Sequence, residues 1–487
     1  MTLPRPGLTG RWSTGITMAL LALAPFVLLS TAPLLFTGVL AQELGTDRAG
    51  LQLGQGLANA SYAFSVVVAA DLIRRVPPRR LYLGCTLLVA VGAGVSALAG
   101  SNGALVAGRV LLGLGSGMLL VVSLPPAVTG HGPRPIPVTV ALINLGLFGG
   151  AVLGTSIGGF AASPGVWRWV FVAAAAIALA GFVVGLLGFE RGEAEAPRMG
   201  FDPSGIPLAA VATFLPFVGV SVLVGHAPTS PGFLVPTVVG LAALVLLVVR
   251  EHRKEDPLMP ARLIAHTLPV TGIGAAMVTG AGFTAFTELA VLRSQQVEGH
   301  PPEVIGGALA TETAGMLLAV WLIVRVLPTR WLPALVLGGL LTVCAGGGVL
   351  LTGGGLARTA VAGFLLGLGA GTGVGPGLFL GALSVPAPRL GPAFALVQLL
   401  RSEAAFLAAP VVLKLAMSGD PAAIERTILL GVVVTGGGAV VLTGILLLGG
   451  TGPQKPDLRR WTAGEGTAFH SRPVAAVLRE RGGGTDV

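Results

Sequence analysis

The chain is 487 residues long, 53% hydrophobic and only 10% charged; soluble domains carry about a quarter charged residues, so a soluble globular fold is excluded and an integral membrane protein is expected. Thirty basic against 21 acidic residues give a formal charge of +9, but the bases sit in short spacers between apolar runs, which argues against nucleic-acid binding. Cys85 and Cys344 fall inside apolar runs and read as small core residues, with neither a disulfide nor a metal site.

A bilayer-crossing helix needs about 20 apolar residues. In chain order the sequence offers fourteen: 16–40, 52–72, 81–99, 104–124, 137–161, 169–189, 205–225, 233–249, 269–292, 304–324, 331–351, 358–382, 391–413 and 428–449. The first follows Arg5 and Arg11 and, at about 25 apolar residues, exceeds the roughly 7–15 of a signal-peptide core. An even number of spans puts both termini on one side. With the termini in the cytoplasm, 22 Lys and Arg fall in cytoplasmic segments, against six outside: Arg48, Arg168, Arg293, Arg358, Lys414 and Arg426. That asymmetry predicts a multi-pass protein of the cell membrane with cytoplasmic termini. The loops 190–205 and 250–262 bracket spans seven and eight and read as solvated linkers. The tail from Lys455 to Val487, basic and ending in Gly, reads as flexible and able to touch anionic lipid.

Comparison of the sequence with itself shows an internal repeat. Leu72–Arg80 matches Leu322–Arg330 at six of nine positions, Leu111–Gly117 matches Leu365–Gly371, and Ala141–Leu145 matches Ala395–Leu399. Spans one to six therefore recur as nine to fourteen in the same orientation, an arrangement found in transporters that rock about a midplane site. The expected organisation is an N-terminus over 1–15, a six-helix bundle over 16–189, two linker helices within 190–268, a second bundle over 269–449 and a tail over 450–487.

These strings resemble those of the major facilitator superfamily, in particular its fourteen-span drug:proton antiporter-2 branch. Asp71 with Arg74, Arg75, Arg79 and Arg80 looks like the family's loop after helix two, and the resemblance implies a cytoplasmic gate in which an acid and bases pair across the halves; the repeat returns only the bases Arg325 and Arg330, with Trp321 where Asp71 would be, so the gate is expected to be asymmetric. Gly108-Arg109 followed by Gly113, Gly115 and Gly117 is similar to the helix-four motif, whose Arg is implicated in proton transfer. Gly154-Thr155-Ser156-Ile157-Gly158-Gly159 resembles the antiporter motif of helix five, and Trp167-Arg168-Trp169-Val170-Phe171 is the most branch-specific string. Three departures stand out: Thr155 replaces a Pro, Val67 replaces a Gly, and Leu29 occupies the place of a membrane-embedded Asp in helix one.

A charge at the bilayer centre costs about 2.5–3.5 kcal/mol even on the gentler scale, so each needs a partner, an aqueous cavity or a function. Those in the spans are Arg109, Glu288, Glu312, Arg401 and Glu403, with Asp71 at a helix edge. In the architecture that the resemblance implies, spans three, six, eleven and fourteen are peripheral, and all six charges lie on helices lining a central cavity. One of Glu288, Glu312 and Glu403 is expected to replace the missing helix-one acid as proton carrier, with a preference for Glu312 near the middle of span ten. The plainer role for each is pairing with Arg109 or Arg401. Arg401 and Glu403, two residues apart, point about 200° apart and cannot face each other. The motif glycines read as helix-packing positions. No metal-ligand spacing and no phosphate-binding loop occurs, so ATP-driven transport, cofactors and enzymatic activity are not expected. The sequence thus predicts a monomeric secondary transporter, exchanging protons for small organic or amphipathic compounds that it exports. The alternatives are a facilitator or uptake carrier without proton exchange, and a non-transporting membrane scaffold or sensor.

Overall fold

A computed structural model describes residues 9–190, 192–193, 202, 204–417, 422–450 and 452–482. The described residues form helices joined by short loops, with one isolated β-bridge, His266 to Pro473. Among the described residues thirteen helices are long and apolar enough to cross a bilayer. Span two also forms, as the 25-residue helix Arg48–Leu72, but Gln52, Gln55, Asn59, Ser61 and Ser65 lower its hydropathy. Asn59, Ser61 and Ser65 are buried against neighbouring helices instead of meeting lipid.

Among the described residues three spans are divided into shorter helical segments. Span one runs as Trp12–Thr31 and Pro33–Glu43, because Pro33 has no N–H to return to the Leu29 carbonyl four residues back. Span five joins Ile136–Asn144 to Gly150–Phe160 through a π-helical turn, Leu145–Gly149, a device that re-aims side chains at functional sites. Span ten divides at Ala310 into Pro302–Leu309 and Thr311–Val326.

The repeat is visible in how its glycines pack. Small residues let membrane helices approach closely, and equivalent glycines meet equivalent helices. A Cβ on Gly113 would lie 2.4 Å from the Ala58 carbonyl oxygen of span two, and one on Gly367 would lie 2.1 Å from that of Glu312 in span ten. Gly115 abuts Cys85 of span three, and Gly369 abuts Gly339 of span eleven; Gly117 closes on the Tyr62 carbonyl. Gly154 and Gly158 seat span five on span one, while Gly159 meets Gly306 of span ten across the two halves. The Trp167–Phe171 string ties loop ends together. Glu43 accepts hydrogen bonds from the Trp167 indole (3.0 Å) and the Gly165 amide (2.6 Å), and Arg168 donates to the Ala97 and Ala99 carbonyls (2.9 and 2.8 Å).

Spans three, six, eleven and fourteen are peripheral, exposing aliphatic side chains such as Val91, Val183, Leu341 and Val440. The linker helices, Gly205–Leu223 and Pro231–Arg253, pack on each other, and the first also covers span two, with Phe214 against Phe64 at 5.8 Å.

Two expectations are corrected. The loop 250–262 is not a solvated linker: Glu251 is fully buried, pairs with Arg250 at 2.7 Å and accepts from the Met259 amide at 3.0 Å, while Leu258 and Met259 are buried. Asp202 pairs with Arg250 and Lys254, both at 2.8 Å, and Arg74 reaches Asp256 at 2.9 Å. Dense charge of alternating sign neutralises itself and packs. Most of the polar loop before Ser204 lies outside the described residues. The tail is not flexible over 452–482 either. Trp461 is fully buried with its indole donating to the Val385 carbonyl (2.8 Å), Ala468 and Phe469 are buried, and backbone bonds join Ala468 to Leu383 (2.9 Å) and Thr267 to Arg472 (3.0 Å). Residues 483–487 lie outside the described residues.

Burial works to raise the Asp202 carboxyl, but Lys254, the Gly205 amide and Arg250 donate to it and together hold it well below the usual carboxylate range. A depressed folded-state value gives stability that is complete above the unfolded value near 4 and is lost as pH falls through the folded value. Asp202→Asn should therefore cost about 1–3 kcal/mol at neutral pH, read as a lower melting temperature of the purified protein, with the deficit shrinking in strong acid. Equal melting at neutral pH would remove this cluster from the stability of the linker.

Candidate substrate cavity

A cavity of about 410 Å³ lies between the two halves. It begins in mid-span beside Tyr62, Arg109, Phe148 and Arg401 and runs to Gln42 and Arg48, exposed at the helix ends remote from the described chain termini. Toward the terminus-proximal face it is closed by contacts between the halves. The Asn144 amide donates to the Gly371 carbonyl (3.0 Å) and the Gln398 amide donates to the Tyr62 hydroxyl (3.0 Å). Asn144 and Gln398 are the same position of the repeat, so each half supplies one polar cross-tie. Gly375 has to be glycine for the first, since a Cβ there would lie 1.8 Å from Asn144 Oδ1.

Arg109, Glu288 and Arg401 line the cavity and are each 7% exposed. The Arg109 guanidinium donates to the Leu29 carbonyl at 3.0 Å, the oxygen that Pro33 deprives of its helical partner. Where the family resemblance implies an acid side chain, a freed backbone carbonyl meets the arginine. Arg401 donates to Gln398 Oε1 (3.2 Å) and Ser402 Oγ (3.3 Å), with its Cζ 5.7 Å from the Phe148 ring centre and 5.6 Å from that of Phe406. The π-turn of span five carries Phe148 into this contact. One carboxyl oxygen of Glu288 has no hydrogen-bond partner among the described residues.

Glu312, Glu403 and Asp71 are buried but do not line the cavity. Their helices border the cavity, as expected, but these three side chains do not face it. Glu312 follows directly on the break at Ala310 and accepts from Thr155 Oγ1 (3.0 Å) and Thr287 Oγ1 (3.1 Å), so the hydroxyl replacing the family's Pro holds an acid from the other half. Glu403 diverges from Arg401 as helix geometry demands, and neither carboxyl oxygen has a partner among the described residues. None of the three acids forms an ion pair with Arg109 or Arg401 among the described residues.

The expected gate is also redrawn. Asp71 pairs with Arg75 in its own segment, not across the halves, and Arg74 pairs with Asp256 of the linker. Arg79 donates to the Leu186 carbonyl at 2.8 Å, and Arg80 is exposed. In the second half Arg325 lies over Trp321 (5.1 Å) and Arg330 over Trp331 (5.2 Å). No cluster of three or more His, Cys, Asp or Glu that could hold a metal occurs among the described residues. Sequence reasoning missed the aromatic wall of Phe26, Tyr62, Phe148 and Phe406. Only Tyr62, one of two tyrosines in the chain and set in an apolar helix, offered a signal.

Fold, repeat and central cavity define a polytopic helical membrane protein built from two related halves. The chain belongs to the Major Facilitator Superfamily, whose sequence model matches residues 14–410. It is 28% identical over 288 residues to the multidrug resistance protein B homolog of Mycobacterium tuberculosis (strain CDC 1551 / Oshkosh), covering 58% of this chain and 52% of that protein. It is 28% identical over 384 residues to the tetracenomycin C resistance and export protein of Streptomyces glaucescens, covering 75% and 69%. The chain thus matches about half the length of the first relative. The solved peptide transporter POT in complex with sulfate superposes with a TM-score of 0.59 at 20% identity, over 92% of this chain and 96% of that one, which supports the fold alone.

Proposed function

We propose that this protein is a secondary transporter of the drug:proton antiporter-2 type, exporting small amphipathic organic compounds across the cell membrane in exchange for protons. Its two bundles, 16–189 and 269–449, rock about the cavity, with 190–268 as the linker and both termini in the cytoplasm. In that orientation the cavity faces outward and the Asn144 and Gln398 ties seal the cytoplasmic side. The observation carrying the reading is the cavity itself, built by both halves, reaching mid-membrane and holding three buried charged groups without ion-pair partners among the described residues. Two relatives whose names describe drug resistance or export support the direction. Glu288 is the acid that a proton entering along the cavity meets, and we assign coupling to it ahead of Glu312. One chain contains the whole path, and no chemical transformation of the substrate is required.

Inside-out vesicles containing the protein should accumulate an amphipathic dye when the lumen is acidified, and lose it when an ionophore collapses the gradient. Gradient-independent equilibration of the dye would favour the facilitator reading, and no protein-dependent flux would leave the scaffold reading.

A further inference from the structure

We infer that the cavity takes aromatic zwitterions: a flat ring system against the Phe26–Tyr62 and Phe406 rings, an acid group on Arg401, and an amino group opposite Glu288. The inference rests on the cavity being the transport path and names the substrate class for it.

The charge census comes first. Among the described residues Arg48, Arg109 and Arg401 are the basic residues lining the cavity and Glu288 is its one acidic residue, so the wall is cationic whether or not Glu288 carries a proton. A purely cationic substrate would meet net repulsion there. Arg109 and Arg401 are more than nine-tenths buried, and their side-chain contacts among the described residues are to neutral acceptors, Leu29 O for one and Gln398 and Ser402 for the other. A guanidinium has five donors, and a buried cation without an anion is costly. An anionic ligand group relieves that cost.

Arg401 is also shaped for one kind of anion. Phe148 and Phe406 flank its guanidinium, occupying it with ring contacts. Such a weakly hydrated, delocalised cation recognises a planar carboxylate by parallel N–H···O bonds. The ring that bears the acid has its own platform. Phe26 and Tyr62 stack at 4.3 Å and 5°, and Phe406 stands edge-on to them at 6.3 and 6.4 Å, leaving apolar aromatic surface beside the cation.

Glu288 supplies the third point. It lines the same cavity, 7% exposed and with one buried oxygen unpartnered among the described residues, and its carboxyl accepts either a proton or a substrate ammonium, the two excluding each other. That competition is what proton exchange requires, and it explains why one acid is retained in a cationic cavity.

The test uses three probes with one ring body and the purified full-length protein: 3-(2-naphthyl)alanine, 3-(2-naphthyl)propionate and 2-(2-naphthyl)ethylamine. Equilibrium binding should be tightest for the amino acid, with the amine weaker by about tenfold or more, the loss of a charge-assisted pair. Arg401→Gln should erase the advantage of the two acids and leave the amine unchanged, and Arg401→Lys should recover part of it. Glu288→Gln should bring the amino acid down toward the propionate. An amine that binds wild-type protein as tightly as the amino acid overturns the inference, as does an Arg401→Gln loss equal for all three probes. Binding of none of them also overturns it, and since this comparison needs only the wild type it stands even if a variant fails to fold. Vesicle flux keeps the two readings apart: gradient-driven export of a cationic dye by protein that binds no acid probe leaves the transporter reading intact and removes this one.

Discussion

Glu288→Gln should abolish accumulation driven by a pH gradient while leaving exchange of substrate between the two sides of the membrane. A glutamine is an acid locked neutral: it can complete the substrate half of the cycle but has no proton to release. Glu288 is the acid lining the cavity, 7% exposed and with one oxygen unpartnered among the described residues, so a proton reaches it without the protein parting. Glu312 is fully buried and held by the Thr155 and Thr287 hydroxyls, and Glu403 lies off the cavity. Their Gln variants should keep gradient-driven transport, and Glu312→Gln should show its effect first in thermal stability, because one of its two hydroxyl donors loses its acceptor. The measurement is uptake into inside-out vesicles with and without an imposed gradient, paired with counterflow. Undiminished accumulation by Glu288→Gln together with loss in Glu312→Gln would return coupling to the residue that the sequence favoured.

The largest structural effect should come from a single methyl group. Gly158→Ala places a Cβ 2.2 Å from the Ala32 carbonyl oxygen, with the Ala32 carbonyl carbon and Cα both at 3.0 Å. These are backbone atoms at the break in span one, and no rotamer change can relieve the clash; spans one and five have to separate. The cost should reach or exceed the ~1–3 kcal/mol typical of overpacking, seen as a sharply lower melting temperature in detergent and poor yield. Gly338→Ala, on a helix where a Cβ meets nothing within 4 Å, should be neutral or gain up to about 1 kcal/mol of helix propensity. Similar melting of both variants would show that spans one and five are looser than their packing implies.

What the sequence disclosed follows from contrast. Apolar runs separated by arginines set the spans, and Leu111–Gly117 and Leu365–Gly371 disclosed the repeat because small residues at fixed spacing stand out even in an apolar chain. Charges stand out too, which is why Arg109, Glu288 and Arg401 were found. Their orientation was less legible. Glu312 is buried against Thr155 and Thr287 and not on the cavity, and the division of its helix at Ala310, with no proline there, leaves no mark in the sequence. Phe148 and Phe406 had no contrast at all, being apolar residues in apolar helices, although they form the wall around Arg401. Span two was legible for the opposite reason to its neighbours: its glutamines and asparagine depress hydropathy because they face the cavity, so the helix that least resembles a membrane span contributes heavily to the polar lining. The packed tail and the buried Glu251 were hidden because charge density reads as solvation until the partners are placed.

The buried Trp461 also restricts how the molecule can open. Its indole is fixed to the end of span twelve, and the backbone around Ala468 and Arg472 is bonded to Leu383 and to Thr267 at the start of span nine. Spans nine and twelve are thus stapled together on the terminus-proximal face by a strap that the first half does not share among the described residues. They cannot part there without lifting a tryptophan out of its socket, so the second half turns as one braced block. Any passage that forms at that face must run along the seam where Asn144 and Gln398 are tied, and not through the interior of the strapped half.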